Sequence, residues 1–190
     1  DVLQRLLDAT ELFKMDYFIG ITADNPLFSI HHANIISDMF KFNTSLDFVY
    51  TTGMPIGLNI YGVSKKALKT VCKIKQEKDT EIWGYLLNRP EIFNVKEIKV
   101  TKKYKFKKSR MTLDEIDDYK FFEKLYSLFP KDSVIDILDV YKCLKQNPKV
   151  AAINNKVKQK DLDDKIKKKI SKFYEINKIK ILKIKKSIYI

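Results

Sequence analysis

Tyr17 to Leu27 reads YFIGITADNPL, an apolar run that breaks abruptly into Thr22-Ala23-Asp24-Asn25-Pro26-Leu27. The apolar part suits a buried strand, and the break sets a carboxylate and a polar neighbour just past its C-terminal end. In open α/β sheets, ligands bind at that end. A second segment, Arg110-Met111-Thr112-Leu113-Asp114, repeats the arrangement with another acid after a short extended run. Asp24 and Asp114 are therefore the candidate pair for one divalent cation, with Asn25 beside the first.

Helix and strand patterns alternate along the rest of the chain. Val2, Leu3, Leu6, Leu7, Leu12 and Phe13 recur at helical spacing, which predicts an amphipathic helix over 1–14 leading into a strand at 17–22. A second helix is expected at His31–Phe40 with Ser29 as N-cap. A β-favouring run at Leu46–Tyr50 follows, then a turn cluster, Thr52-Gly53-Met54-Pro55-Ile56-Gly57. Leu58–Val63 reads as a strand, Ser64–Lys75 as a helix capped by Ser64, and Thr80–Leu87 as another helix. Residues 93–106 alternate Val95, Ile98, Val100, Tyr104 and Phe106 with lysines, as a strand or hairpin with one wet face does. Asp117–Phe129 and Ser133–Leu144 predict two more helices. Strands alternating with helices predict a three-layer α/β fold on a mostly parallel sheet.

A chain of 190 residues with 45% hydrophobic content can bury a core of ordinary size. No apolar stretch approaches the roughly 20 residues of a transmembrane helix, and the acidic start DVLQRLLDAT lacks the charge order of a signal peptide. A cytoplasmic protein is expected. Cys72 and Cys143 stand far apart without CxxC spacing, so they read as buried thiols, not as a zinc site or a disulfide framework.

The net charge of +13 is concentrated in two places. Residues 151–190 hold 13 Lys and 4 acids, and residues 96–110 hold 8 Lys or Arg and one Glu. Such patches attract phosphates, nucleic acid or anionic surfaces, although Lys, Ile and Asn dominate the whole tail, as a coding bias also makes them. The tail changes character at Val150. A basic helix is expected at Asp161–Tyr174 and a terminal strand or frayed end at Ile179–Ile190, so the chain divides into 1–149 and a basic helical or extended appendage, 150–190.

The segments DVLQRLLDA, DYFIGITADNPL, MPIGLNIYGVSKKALKTV, RMTLDEIDDYKFFEKLY and NPKVAAINNKVKQK occur in an order and spacing that resemble the cytidylyltransferase family. That family includes the sialic-acid and 3-deoxy-manno-octulosonate enzymes, and the chain looks most like its spore-coat polysaccharide biosynthesis branch. TADNPL corresponds to the family's T-G-D-x-P-L, and TLDEIDDY to T-L-D-T-P-E-D-Y. The resemblance implies a nucleotide-diphospho-sugar transferase-like fold, present in part. It also implies a reaction in which CTP and a sugar acid give a CMP-sugar and pyrophosphate with Mg²⁺ held by Asp24 and Asp114. Such a cation would neutralise charge on the triphosphate while using only one or two protein carboxylates. Asn25, Gly57 and Arg110 are the further substrate-binding candidates: glycine lets backbone approach a ligand or satisfies a turn, and guanidinium suits a carboxylate or phosphate. Related enzymes are often dimers, so a homodimer is compatible with the resemblance.

Departures from the pattern accompany it. The family's glycine before the first acid is Ala23, its Thr-Pro is Glu115-Ile116, and Thr112 stands where sialic-acid enzymes carry a further acid. Thr80-Glu81-Ile82-Trp83 replaces the family's Arg-Glu-His-Val, and Trp83 is expected to fill core or a subunit contact. The family's opening strand and basic loop, L-x-A-R-x-x-S-x-R-L-P-G-K, has no counterpart. The 190 residues are accordingly expected to be the C-terminal part of a longer protein, nearly inactive alone. Two other readings stand beside this one. A degenerate relative would serve as a scaffold or partner subunit. A nucleic-acid-binding module would use the lysines interleaved with Tyr104, Phe106, Phe173 and Tyr174, but would leave both acid motifs unexplained.

Overall fold

The structure, a computed structural model, describes residues 1–76, 83–106, 109–159 and 162–190. Helix α1 (Val2–Leu12) starts at Asp1, whose side chain accepts from the Gln4 N–H, and leads into strand β1 (Tyr17–Gly20). Helix α2 (Ile30–Phe42) is capped by Ser29 as expected, since its hydroxyl oxygen accepts from the His32 N–H. Strands β2 (Phe48–Thr52) and β3 (Tyr61–Ser64) follow. Helix α3 (Lys65–Ile74) has Ser64 as its cap, and helix α4 (Gly84–Leu87) is a single turn. The start of the helix expected at Thr80–Leu87 lies outside the described residues. Strand β4 (Val95–Lys99) gives way to a 3-10 turn at Lys102–Tyr104, where a hairpin was the other expectation. Helices α5 (Ile116–Tyr126), α6 (Ile137–Gln146), α7 (Pro148–Ala151) and α8 (Asp164–Tyr189) complete the chain.

The sheet runs in the order β1-β3-β2-β4. β3 is antiparallel to both β1 and β2, while β2 and β4 pair in parallel. Three of the four strands therefore share one direction and β3 alone is reversed. The registers align Phe18 with Val63, Val63 with Phe48, and Phe48 with Val95, a row of apolar side chains across all four strands. That row packs against α1, α3 and α8. On the opposite face Tyr17, Ile19, Val49 and Ile60 meet Ile36 and Phe40 of α2. The period-two alternation of the strands thus produces helix, sheet and helix layers. Contact with α2 is tight: a Cβ on Gly62 would lie 2.6 Å from both Ile36 and Phe40, so only glycine fits there.

A second cluster gathers where β1, β2 and β4 end. Leu27, Met54, Leu58, Val100, Tyr104 and Met111, all from connecting segments, pack against Phe121, Phe122 and Leu125 of α5 and against α6. This cluster fixes the loops that form the site.

The tail differs from expectation. Ile179–Ile190 forms neither a strand nor a frayed end: nearly all of it lies within the 26-residue helix α8. Ile170, Tyr174 and Ile181 at helical spacing are buried in the same core as α1 and α3, and Tyr174 donates to the Leu86 carbonyl. The division expected at 149/150 falls inside α7, whose Val150 is buried in the second cluster. The lysine-rich composition hid an apolar stripe that the core uses.

Candidate functional site at the strand ends

Three loop segments are joined by main-chain hydrogen bonds beyond the strand ends. The Met111 N–H donates to the Ile56 carbonyl at 2.8 Å, and the Leu113 N–H donates to the Asp24 carbonyl at 2.7 Å. Gly57 makes this approach possible. Its φ is +90°, and a Cβ there would sit 2.2 Å from the Met111 carbonyl oxygen. The Thr22–Asn25 turn is closed twice, by the Asn25 N–H to the Thr22 carbonyl and by the Asn25 side-chain amide to the Thr22 hydroxyl at 2.6 Å.

These segments line one cavity of about 640 Å³, into which Thr22, Asp24, Asn25, Gly57, Thr112 and Asp114 all contribute. Four of the five site residues expected from sequence thus meet in one place. The Thr112 hydroxyl lies 3.5 Å from a carboxylate oxygen of Asp24 and 3.5 Å from one of Asp114, so it stands between the two acids. The other Asp24 oxygen, Oδ1, is buried and has no hydrogen-bond partner among the described residues. Buried carboxylate oxygens nearly always have a donor.

Arg110, the fifth, is not among the residues that line the cavity; it sits against Asp114. Its Nε donates to both carboxylate oxygens of Asp118 at 3.0 Å, one terminal nitrogen pairs with Asp114 and the other with Gln159. Asp118 is fully buried and also accepts from the backbone N–H groups of Asp114 and Glu115 and from Asn154. Burial alone would raise its carboxyl, but the hydrogen bonds from Asn154, Arg110 and the two backbone groups outweigh that and hold it below the usual carboxylate value. Asn154 ties the network back by donating to the Arg110 carbonyl at 3.0 Å.

Asp118, Asn154 and Gln159 were not anticipated as site residues. Each stands inside a segment already conspicuous in the sequence, TLDEIDDY for the first and NPKVAAINNKVKQK for the others. Trp83 fills core, as expected, and lines the cavity as well. It packs edge-on to Tyr61 at 4.4 Å, and burial with the nearby Asp24 charge pushes the Tyr61 hydroxyl up to about 12. His31 and His32 do not face the cavity; both rings pack on Tyr104, and the Ser29 hydroxyl is hydrogen-bonded to His32 Nδ1.

No family model matches the sequence. An uncharacterized protein of Methanocaldococcus jannaschii, MJ1063, is 30% identical over 164 residues, 84% of this chain and 66% of the relative. The spore coat polysaccharide biosynthesis protein SpsF of Bacillus subtilis is 22% identical over 153 residues, 79% of this chain and 63% of the relative. The chain therefore spans about two thirds of the length of these curated relatives. A solved cytidylyltransferase from Leptospira borgpetersenii superposes with a TM-score of 0.71 at 22% identity, over 86% of this chain and 68% of the other. The chain is thus similar in fold to a cytidylyltransferase and in sequence to a spore coat polysaccharide biosynthesis protein, the likeness that its two motifs lead one to expect.

Proposed function

We propose that the chain is the acid-bearing part of a nucleotidyltransferase that activates a sugar acid with CTP for polysaccharide biosynthesis. The observation that supports this most is the meeting of Asp24 and Asp114, from motifs about 90 residues apart, on either side of Thr112 in one cavity. In the reaction a sugar hydroxyl oxygen attacks the α-phosphorus and gives up its proton to solvent, the bond from that phosphorus to the bridging β-phosphate oxygen breaks, and pyrophosphate leaves.

The donor set fits Mg²⁺. It is all oxygen and includes a buried Asp24 oxygen without a donor among the described residues, and Mg²⁺ asks for only one or two carboxylates. Among the described residues no group of three or more His, Cys, Asp or Glu could hold a metal ion, so water and phosphate oxygens would have to complete the cation's shell. When bound, the cation supplies charge neutralisation and orientation of the triphosphate. The protein's own share is positional. Asp118, itself held by Asn154, and Gln159 fix the Arg110 guanidinium, and Arg110 in turn fixes the Asp114 side chain. Arg110 on this reading positions Asp114 and does not itself grip the sugar acid. Asn25 and Gly57 line the cavity as substrate contacts.

The test is pyrophosphate release by the full-length gene product with Mg²⁺, CTP and a mixture of ulosonic acids, beside its Asp24→Asn variant. Release that requires both substrates and falls at least about a hundredfold in the variant is expected, the loss typical of a principal electrostatic group. No release from the folded wild-type protein would sink the transferase reading and favour a scaffold or partner subunit.

A further inference from the structure

The outer face of α8 plays no part in the core or the site. Lys172, Ile176, Ile179, Lys183, Lys186 and Ile190 follow one another at alternating spacings of four and three residues, which keeps them on one side of a helix. All six are exposed, with Ile176 at 69%, Ile179 at 74% and Ile190 at 99%. The opposite side carries the buried Ile170, Tyr174 and Ile181, so this stripe points to solvent. The helix holds ten lysines and two acids, and neither Asp164 nor Glu175 falls in the stripe.

We infer that this face attaches the protein to an anionic lipid surface, independently of the reaction proposed above. Aliphatic side chains flanked by lysines on one helix face suit the boundary between acyl chains and headgroups, with the isoleucines entering it and the ammonium groups remaining at the phosphates. In this attachment α8 lies along the surface; no helix among the described residues is long and apolar enough to cross a membrane.

Two other occupants fit less well. Nucleic acid would need bases to stack, but the aromatics interleaved with lysines are committed elsewhere. Tyr174 and Tyr104 are buried, Phe173 packs partly buried against the core, and Phe106 stacks on Tyr141 at 4.8 Å. What the stripe exposes is aliphatic. A second copy of the helix would bring three lysines of the stripe against three more with no acid to meet them.

The experiment is co-sedimentation of the full chain with phosphatidylcholine vesicles, with and without phosphatidylglycerol. Two variants accompany it: Ile176→Ser/Ile179→Ser and Lys183→Glu/Lys186→Glu, all at exposed positions, with circular dichroism as the check that each folds. Partition into the anionic vesicles alone is expected, weakened by salt, with a drop of roughly tenfold or more in each variant. Failure to partition, or partition unchanged by the isoleucine substitutions, overturns the inference. So does tighter binding to an RNA or DNA oligonucleotide, or sedimentation as a dimer that the isoleucine substitutions dissociate, since either assigns the stripe to another partner.

Discussion

The Nε of Arg110 lies 3.0 Å from both carboxylate oxygens of Asp118, and neither side chain reaches solvent to any extent, with Arg110 at 8% exposure and Asp118 at 0%. This buried pair joins the loop that carries Asp114 to the first turn of α5. Each end is tied further, Asp118 by two backbone N–H groups and Asn154, Arg110 by Gln159 and Asp114. Removing one member leaves the other charged and buried.

Asp118→Ala is therefore expected to destabilise the fold by about 3–5 kcal/mol, the usual cost of breaking a buried pair from one side. Urea unfolding of the chain measures it. Because the folded state holds Asp118 below its ordinary value, the stability it contributes is fully present above about pH 4, the ordinary aspartate value. That stability is lost as pH falls from there through the lowered folded value. A stability-against-pH series should show this acid loss in the wild type and less of it in Asp118→Asn.

Gly57→Ala is expected to destabilise by about 1–3 kcal/mol from backbone strain alone, and by more through the clash with the Met111 carbonyl. The matched control is Gly84→Ala. Nothing lies within 4 Å of a Cβ there, and helix α4 begins at that residue. It should be neutral or stabilising by up to about 1 kcal/mol. Thermal melts of the two variants distinguish a glycine required by chain approach from one that is not.

The sequence was most legible where local physics acts alone. Ser29 and Ser64 announce helix starts because a cap is a three-residue relationship, and both cap as expected. Asp24 and Asp114 stand out because the first follows an apolar run and the second a short extended one, although only the fold brings them to Thr112. The sequence suggests Arg110 as a substrate contact, and nothing local reveals that Asp118 meets its guanidinium or that Asn154, 44 residues away, meets its carbonyl. The reversal of β3 was hidden too, since pairing direction is set by connections across the sheet. The end of helix α8 differs from the expected strand or frayed end because lysine and isoleucine in near alternation mimic a half-buried strand over a short window; Ile170, Tyr174 and Ile181 declare the helix only over a longer one.

The end of α8 is held by a buried charge that composition conceals. Asp47, 2% exposed, accepts from Lys185 at 2.8 Å, from the Tyr189 hydroxyl and from the Asn94 N–H. Lys185→Met should cost about 3 kcal/mol by leaving that carboxylate without its cation, and Asp47→Asn in the same chain should restore part of the loss. A double-mutant cycle by urea unfolding checks both. A double variant whose cost equals the sum of the two single costs would show that the pair is not coupled.

Tyr61 offers a reading of the Asp24 charge that needs no substrate. Its hydroxyl is pushed up to about 12, first by burial and then by the negative charge of Asp24. The two contributions separate in one variant, because Asp24→Asn removes the charge and leaves the burial. The Tyr61 midpoint should then fall below its wild-type value yet stay above the ordinary tyrosine value of about 10. Tyrosine ring carbons followed by NMR across alkaline pH, with Tyr61→Phe to assign the resonance, give the midpoint directly. An unchanged midpoint would mean that Asp24 does not project its charge toward Tyr61. The cavity wall shared by Asp24 and Trp83, against which Tyr61 packs, would then be differently arranged.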